Sequence, residues 1–174
     1  MNKKIFIILP HKDQFIKNYA GSASIWVKDF FKNSIFKKQI QIFGSTDNIK
    51  NIFIQKNYTN IKIPRLKIFS KSNYYINKLI YYCKTEKPKI IEIHNRPSYL
   101  LKIAKNFSNT NFVLVIHNDP LNLKGSNTLE ERKKLLNICY KIYFVSSWVE
   151  EKFFKGLDKN FYSNFKTIYP SIDQ

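Results

Sequence analysis

The fold is decided by residues 89–121, which read KIIEIHNRPSYLLKIAKNFSNTNFVLVIHNDPL. Two apolar, β-branched runs, at 90–93 and 112–116, each lead into the dipeptide His-Asn, and residues 98–107 between them carry apolar side chains at helical spacing. This pattern predicts a βαβ unit of a parallel sheet, with a polar turn after the first strand. Because ligands of such sheets bind beyond the carboxyl ends of the strands, we expect both His-Asn pairs to lie at a ligand-binding edge.

Strands and helices alternate along the rest of the chain. Further strands are predicted at 4–10, 38–43, 142–145 and 166–169, with short ones at 51–54 and 61–63 inside the lysine- and asparagine-rich stretch 48–65. Helices are predicted at 22–32, at 70–85 behind Ser70 or Ser72, after Thr128 with a capping box to Glu131, and behind Ser147. The class is therefore α/β, a parallel sheet with helices on both faces.

Composition indicates one folded domain and a strong positive charge. The 174 residues are 44% hydrophobic and 16% aromatic, which is enough for a core. Thirty Lys and Arg against 12 Asp and Glu give a net charge of +18, which favours nucleic acid, an anionic membrane or a phosphorylated sugar donor. The lysines are scattered among many Ile and Asn residues, as an AT-rich coding bias produces, so a solvated surface is the preferred interpretation.

Cysteine usage and hydropathy favour a cytosolic protein. Cys83 and Cys139 have neither CxxC nor metal-site spacing, so no disulfide framework is expected. The apolar run near the N-terminus is too short for a signal sequence, and no stretch has transmembrane length.

His94 and His117 are the strongest candidates for chemistry. A neutral imidazole at a sheet edge exchanges hydrogen bonds with sugar hydroxyls or takes a proton near neutral pH. The alternative for each histidine is a strand-closing hydrogen bond, but two such residues with asparagine partners on adjacent strand ends favour function. His11 is the third histidine of the chain, and no metal-ligand pairing is present.

Two further groups are candidates for anion contacts. Gly21 and Ser22 form a small-residue turn before a helix, which offers backbone N–H groups to an anion, although taken alone the pair is better explained as a turn glycine and a helix cap. Arg96 follows the first His-Asn pair and is assigned to ligand contact. For Arg132 we favour a solvated helix face paired with a neighbouring glutamate. Ser146 and Ser147 are most simply a helix cap, and their position at the same edge leaves a binding role open.

Other classes of site find little support. There is no GxGxxG, P-loop or GxSxG motif, and neither cysteine neighbours a histidine. The run KIYFV at 141–145 only faintly matches the alternating aromatic and basic residues of a nucleic-acid-binding strand.

The order of these motifs resembles the N-terminal half of the family 4 glycosyltransferases, which have the GT-B fold of two facing Rossmann-like domains. The matching pieces are IFIILP, then GSAS opening a helix, IIEIHNRP, VLVIHNDPL with KGSNTLEERKKLL, and YFVSSWVEEKFFKGL with KTIYPSID. The resemblance covers nearly the whole chain and points to enzymes that build bacterial surface polysaccharide, such as lipopolysaccharide. It implies a Rossmann-like domain over residues 1–170 and the start of a linker at 171–174 to a nucleotide-sugar-binding domain beyond the chain.

The resemblance also implies roles for individual residues. It assigns donor binding to Gly21, Ser22 and His117, with His117 as the candidate catalytic residue that positions the sugar and stabilises an oxocarbenium-like transition state. A second set is assigned to the acceptor, namely His94, Asn95, Arg96, Asn118 and Asp119.

The implied activity is transfer of a sugar from a nucleotide-sugar donor to a glycan or lipid-linked acceptor, with retention expected and inversion left open. No permanently bound cofactor and no metal are expected, and this chain alone is expected to be inactive. The expected location is the cytoplasm, with peripheral attachment to the inner face of the cell membrane open. The alternative is a non-catalytic basic module that binds nucleic acid or an anionic glycan.

Overall fold

The structure is a computed structural model that describes residues 4–47, 49–64 and 70–170. The expected linker start at 171–174 lies outside the described residues, as do both ends of the stretch 48–65.

Strands and helices alternate, and the strands within the described residues form a seven-stranded sheet in the order β3-β2-β1-β4-β5-β6-β7. The strands are β1 Ile5–Ile8, β2 Ile40–Gly44, β3 Tyr58–Asn60, β4 Ile90–His94, β5 Asn111–Ile116, β6 Lys141–Phe144 and β7 Phe165–Thr167. The α-helices are α1 Ser22–Asn33, α2 Lys71–Glu86, α3 Pro97–Ile103, α4 Leu129–Ile138 and α5 Ser147–Phe154. The pairs β1–β2, β2–β3, β5–β6 and β6–β7 are all parallel. This confirms the predicted Rossmann-like α/β class.

Residue contacts divide the chain into two compact units, Met1–Ile91 and Glu92–Gln174. The expectation of one domain over residues 1–170 stays a prediction.

The first unit is built on β1 and β2, whose apolar side chains are buried on both faces. In their register Ile5 lies opposite Ile40. The core cluster of this unit consists of Ile7, Leu9, Phe15, Ala23, Val27, Ile40 and Ile42. From α2, the buried Tyr75 donates its hydroxyl to the Leu9 carbonyl over 3.0 Å, so its polar end is satisfied inside the core.

The second unit packs an aromatic cluster behind β6. The rings of Phe144 and Phe153 have centroids 5.1 Å apart, and those of Phe154 and Phe165 are 4.6 Å apart. These rings bring α5 onto β6 and β7. Arg132 of α4 is buried, with 4% of its surface exposed, and donates to the carbonyls of Ser126, Asn127 and Lys155. The predicted solvated role of Arg132 is therefore wrong, because these carbonyls need a buried donor that a surface glutamate pair would not supply.

The two strands predicted within the lysine-rich stretch differ from what the structure shows. Residues 51–54 form no strand; Ile52 makes an isolated antiparallel bridge with Ile16. The strand predicted at 61–63 lies earlier, at β3. The reason is that the Asn60 side chain pairs with the backbone of Thr46. Asn60 Oδ1 accepts from the Thr46 N–H over 2.7 Å, and Asn60 Nδ2 donates to the Thr46 carbonyl over 2.9 Å.

Helix starts follow the serine and threonine caps. Ser70 accepts from the Asn73 N–H, and Thr128 and Glu131 form the predicted capping box. The last helix is capped by Ser146, not Ser147, because Ser146 has the extended backbone that an N-cap needs and accepts from the Val149 N–H. Within the described residues no helix is both long and apolar enough to cross a membrane.

Candidate functional site

The second unit carries a hydrogen-bonded chain of three side chains, Glu92, His94 and His117. His94 Nε2 lies 2.7 Å from Glu92 Oε1, and His94 Nδ1 lies 3.0 Å from His117 Nε2. The His94 side chain is fully buried, while 15% of the Glu92 side chain is exposed. A carboxylate only accepts hydrogen bonds, so Nε2 of His94 carries a proton. The structure thus places the two sequence-predicted histidines in direct contact.

Glu92 is a member of this candidate site that no sequence motif marked. It stands two residues before His94 in β4, so the period of two along a strand puts both side chains on one face. The sequence feature that could have identified Glu92 is its position as the one acidic residue within the apolar run IIEIH. A buried carboxylate beside a histidine fixes the orientation and tautomer of the imidazole.

Asn95 shapes the turn that follows β4. Its backbone is left-handed, with φ of 52°, and 7% of its surface is exposed. Asparagine tolerates this conformation better than most residues. The Asn95 side-chain oxygen accepts from the N–H groups of His117 and Asn118 over 3.4 and 3.2 Å. Asn95 therefore joins the two His-Asn turns, and its amide group is engaged in structure.

The charge state of His117 follows from its surroundings. Burial lowers the pKa of His117 from 6.5 to about 3, and the adjacent His94 ring adds to the shift. His117 is therefore a neutral imidazole at neutral pH. With one proton on each ring, His94 Nδ1 accepts from His117 Nε2, which leaves Nδ1 of His117 as an acceptor.

The remaining residues of the acceptor set lie on the same two turns. Arg96 is half-buried and donates Nη1 to the Asn95 carbonyl, while Asn118 is exposed. Asp119 accepts from the Leu121 N–H over 2.9 Å and from the Asn122 side chain over 3.1 Å. Asp119 thus starts a short 3₁₀ turn, and a ligand would share its carboxylate with that turn.

The loop after Asp119 is held against the start of α3. Gly125 has φ of 95°, and a Cβ at this position would collide with the backbone of Ser98. Ser98 N–H donates to the Lys124 carbonyl, and the fully buried Ser126 hydroxyl donates to the Pro120 carbonyl. This loop is therefore fixed against the start of α3.

Gly21 and Ser22 lie in the first unit, at the start of α1. The Gly21 N–H donates to Asp13 Oδ1 over 2.9 Å, and the Ser24 hydroxyl donates to the same oxygen over 2.9 Å. A carboxylate of the chain itself thus occupies the helix N-terminus, where it is favoured by the helix dipole. A donor diphosphate would have to displace Asp13 to reach the Gly21 N–H. The assignment of Gly21 and Ser22 to the donor stays a prediction.

Metal and thiol chemistry gain no support from the arrangement. The described part of the chain holds no cluster of three or more His, Cys, Asp or Glu residues able to bind a metal ion. Both cysteines are buried free thiols. Burial raises the pKa of Cys83 to about 12 and that of Cys139 further, so neither is an activated nucleophile.

Comparison with known proteins gives matches at the level of structure. No family model and no curated protein sequence matches the chain. HepE from Anabaena, solved in complex with UDP-glucose, aligns with 97% of this chain at 14% identity and a TM-score of 0.65. UDP-N-acetylglucosamine 2-epimerase from Rickettsia bellii aligns with 96% of it at 12% identity and a TM-score of 0.57. A glycosyltransferase from Rickettsia africae ESF-5 aligns with 99% of it, also at 12% identity and 0.57.

These matches bear on the fold. The chain spans 44% of the length of each of these three proteins. At such identities the likeness establishes the Rossmann-like fold, and the names of the matched proteins include both a glycosyltransferase and an epimerase. Function must therefore be argued from the site.

Proposed function

We propose that this chain is the acceptor-side, N-terminal half of a GT-B glycosyltransferase of the family 4 type. It would take part in the transfer of a sugar from a nucleotide-sugar donor to a glycan or lipid-linked acceptor in bacterial surface polysaccharide synthesis. Support comes from the motif order, from the fold it shares with structures such as HepE bound to UDP-glucose, and from the chain Glu92–His94–His117. That hydrogen-bonded chain is the observation that carries the proposal.

The site residues have distinct tasks in this proposal. His117, neutral and half-buried, hydrogen-bonds a hydroxyl of the donor sugar and holds the reacting carbon in place. Glu92 orients His94, and His94 orients His117, so the imidazole is fixed before the substrate arrives. Preorganised dipoles of this kind stabilise a transition state with oxocarbenium character without protein rearrangement. His117 acts here through positioning and polar contact, in a reaction that retains the configuration of the sugar.

The acceptor is assigned to the two turns after β4 and β5. Asn118 is exposed and Arg96 is half-buried, so both offer polar groups on these turns, while Asn95 and His94 are buried and shape them. Gly21 and Ser22 would contact the donor diphosphate once the Asp13 carboxylate leaves the Gly21 N–H. The donor is a substrate, and we expect neither a permanently bound cofactor nor a metal.

The test begins with the intact mass of the natural protein in its source cells. We expect a chain longer by roughly another domain, on the usual domain size of 100–200 residues. That longer protein should form a glycosidic bond, detected by product mass, when given a nucleotide sugar and a glycan acceptor. His117→Ala should lower kcat by about 100-fold, in the range of a lost transition-state contact. The 174-residue chain alone should transfer no sugar. A natural chain that ends at Gln174 and forms no product with any co-purifying subunit would overturn the proposal.

A second candidate is a non-catalytic basic module for nucleic acid or anionic glycan, favoured by the net charge of +18. Binding to duplex DNA with a steep salt dependence, unchanged by Arg96→Ala and His117→Ala, would select this candidate. Under the leading proposal DNA binding should be weak, and the same two substitutions should affect sugar transfer.

The charge also suits peripheral attachment at the inner face of a cell membrane, which we propose as the working location. Each basic residue near an anionic surface adds about 1 kcal/mol. Co-sedimentation with vesicles containing phosphatidylserine should decrease as salt rises. Failure to sediment at low salt would remove this part of the proposal.

A further inference from the structure

The first unit contains a cavity of about 750 Å³ that the function described above does not use. It is lined by residues that follow β1, β2 and β3 and by the first residue of α2. These segments lie at the carboxyl ends of parallel strands, where open α/β sheets bind ligands. The volume falls within the range of about 300–1,000 Å³ that small-molecule pockets occupy.

The charged side chains of the described lining are mostly cationic. Three exposed lysines, Lys12, Lys62 and Lys71, contribute ammonium groups, whereas Asp47 is the one carboxylate in the described lining. None of these lysines forms an ion pair within the residues that the structure describes. Lys71 also stands in the first turn of α2, which contains no acidic residue. The lining therefore carries net positive charge at a place where a helix dipole also favours an anion.

Two residues of the lining, Thr46 and Asp47, are held by hydrogen bonds to the rest of the unit. Thr46 is buried, its hydroxyl accepts from the Phe15 N–H over 3.2 Å, and it shares a 2.6 Å hydrogen bond with the Tyr58 hydroxyl. The Asn60 side chain hydrogen-bonds both the N–H and the carbonyl of Thr46. The Asp47 N–H donates to Gln14 Oε1 over 3.0 Å. These backbone positions are therefore preorganised, so binding orders mainly the lysine side chains.

The rest of the lining suits a sugar ring better than a bare ion. Ser45 contributes a hydroxyl, His11 contributes an imidazole ring, and Ile63 with Pro64 forms an apolar wall against which the C–H face of a sugar ring can pack. We infer that this cavity binds a saccharide through a phosphate or carboxylate group held by Lys12, Lys62 and Lys71. This inference goes beyond the proposed function, since the acceptor assigned there binds at the turns after β4 and β5 in the second unit.

The test measures binding of four probes to the 174-residue chain by ¹H–¹⁵N NMR titration at low salt. The probes are glucose 6-phosphate, glucuronate, glucose and inorganic phosphate. We expect the two anionic sugars to bind at least about tenfold more tightly than glucose and than phosphate, since only they use both the lysines and the apolar wall. Shifts should map to the segments that line the cavity.

A matched pair of triple variants separates local contacts from the general field of the protein. Lys12→Ala, Lys62→Ala and Lys71→Ala together should raise the Kd for glucose 6-phosphate about tenfold, because three exposed charge contacts are lost. The control combines Lys17→Ala, Lys56→Ala and Lys84→Ala, which are exposed lysines of the same unit outside the lining. It removes the same charge and should change the Kd less than twofold. All six lysines are exposed, so both variants should keep the native circular dichroism spectrum.

Each contrary result has a defined meaning. Equal affinity for glucose and glucose 6-phosphate would show that the lysines do not bind the phosphate group. Equal affinity for inorganic phosphate and glucose 6-phosphate would show that the cavity does not bind the sugar ring. An equal loss in the control variant assigns binding to the overall charge and overturns the site. Because the acceptor turns lie in the second unit, the cavity variant of the longer natural protein should transfer sugar at the wild-type rate. A loss of transfer would make the cavity the acceptor site and overturn its separate role. Anionic-sugar binding by a protein that transfers nothing would reject the proposed function alone.

Discussion

Replacing Glu92 tests whether the buried histidine pair depends on its carboxylate. Glu92→Ala leaves the Nε2 proton of the fully buried His94 without its 2.7 Å acceptor. An unsatisfied buried donor lowers the free energy of unfolding by about 1–3 kcal/mol. Glu92→Gln retains an acceptor oxygen and loses only the charge, so we expect a smaller decrease of about 1 kcal/mol.

Urea unfolding followed by circular dichroism measures these differences. The control is Glu151→Ala, which removes the same charge from an exposed site of the same unit and should lie within about 0.5 kcal/mol of the wild-type chain. A second readout is the ¹⁵N shifts of the two imidazoles, which report the nitrogen that carries each proton. Both substitutions should change the tautomer populations of His94. If Glu92→Ala matches Glu151→Ala in stability and leaves the ¹⁵N shifts unchanged, the carboxylate does not hold the pair and the argument is wrong.

Three further predictions concern protonation, the turn and the thiols. The pKa of His117 is lower in the folded chain than in the unfolded one, so the unfolded state takes up the proton first as pH falls. The free energy of unfolding should therefore decrease between pH of about 6.5 and 3, by at most about 1.4 kcal/mol per pH unit. Urea unfolding of His117→Asn should not show this pH-dependent decrease. Asn95→Ala removes two hydrogen bonds and places alanine at φ of 52°, so thermal unfolding should show a loss of about 2–4 kcal/mol, whereas Asn95→Gly should lose less because glycine adopts this conformation freely. Cys83 and Cys139 should react with a thiol reagent at the rate of global unfolding, and rapid reaction under native conditions would contradict their burial.

The βαβ unit at residues 89–121 was predictable because its burial pattern is simple. Strands buried on both faces need continuous apolar, β-branched runs, and both β4 and β5 have them. Polar residues at the strand ends could be assigned to one edge from the parallel topology alone. This is why the sequence indicated that His94 and His117 share an edge.

The partner of His94 was not predicted because side-chain contact depends on which face of β4 is considered. Glu92 reads as one polar residue in an apolar strand until its alternation with His94 is taken into account. Arg132 was misjudged for a different reason. The three acceptors of Arg132 are backbone carbonyls, two in the preceding loop and one beyond α5. Every residue has a backbone carbonyl, so the residue types of the sequence do not identify these acceptors. Long-range polar contacts of this kind require the three-dimensional structure.

Short elements were predicted less well than long ones. The register of β3 follows the hydrogen bonds between Asn60 and Thr46, which join residues fourteen positions apart. Ser146 and Ser147 are both good capping residues, and only the backbone of Ser146 distinguishes them. Both outcomes depend on tertiary context, which overrides local preference.

Under the proposed role of Gly21 in donor binding, the Asp13 carboxylate at the start of α1 would select among anionic ligands. A tethered group has an effective concentration in the millimolar range or above, so a free anion must exceed that concentration or bind with more than one group to displace it. A single phosphate or a chloride ion competes poorly on these terms. A diphosphate that is anchored elsewhere on the protein arrives with a comparable effective concentration and can compete. Asp13 would therefore keep abundant small anions away from the Gly21 N–H. A ligand that is also bound elsewhere on the protein could displace Asp13.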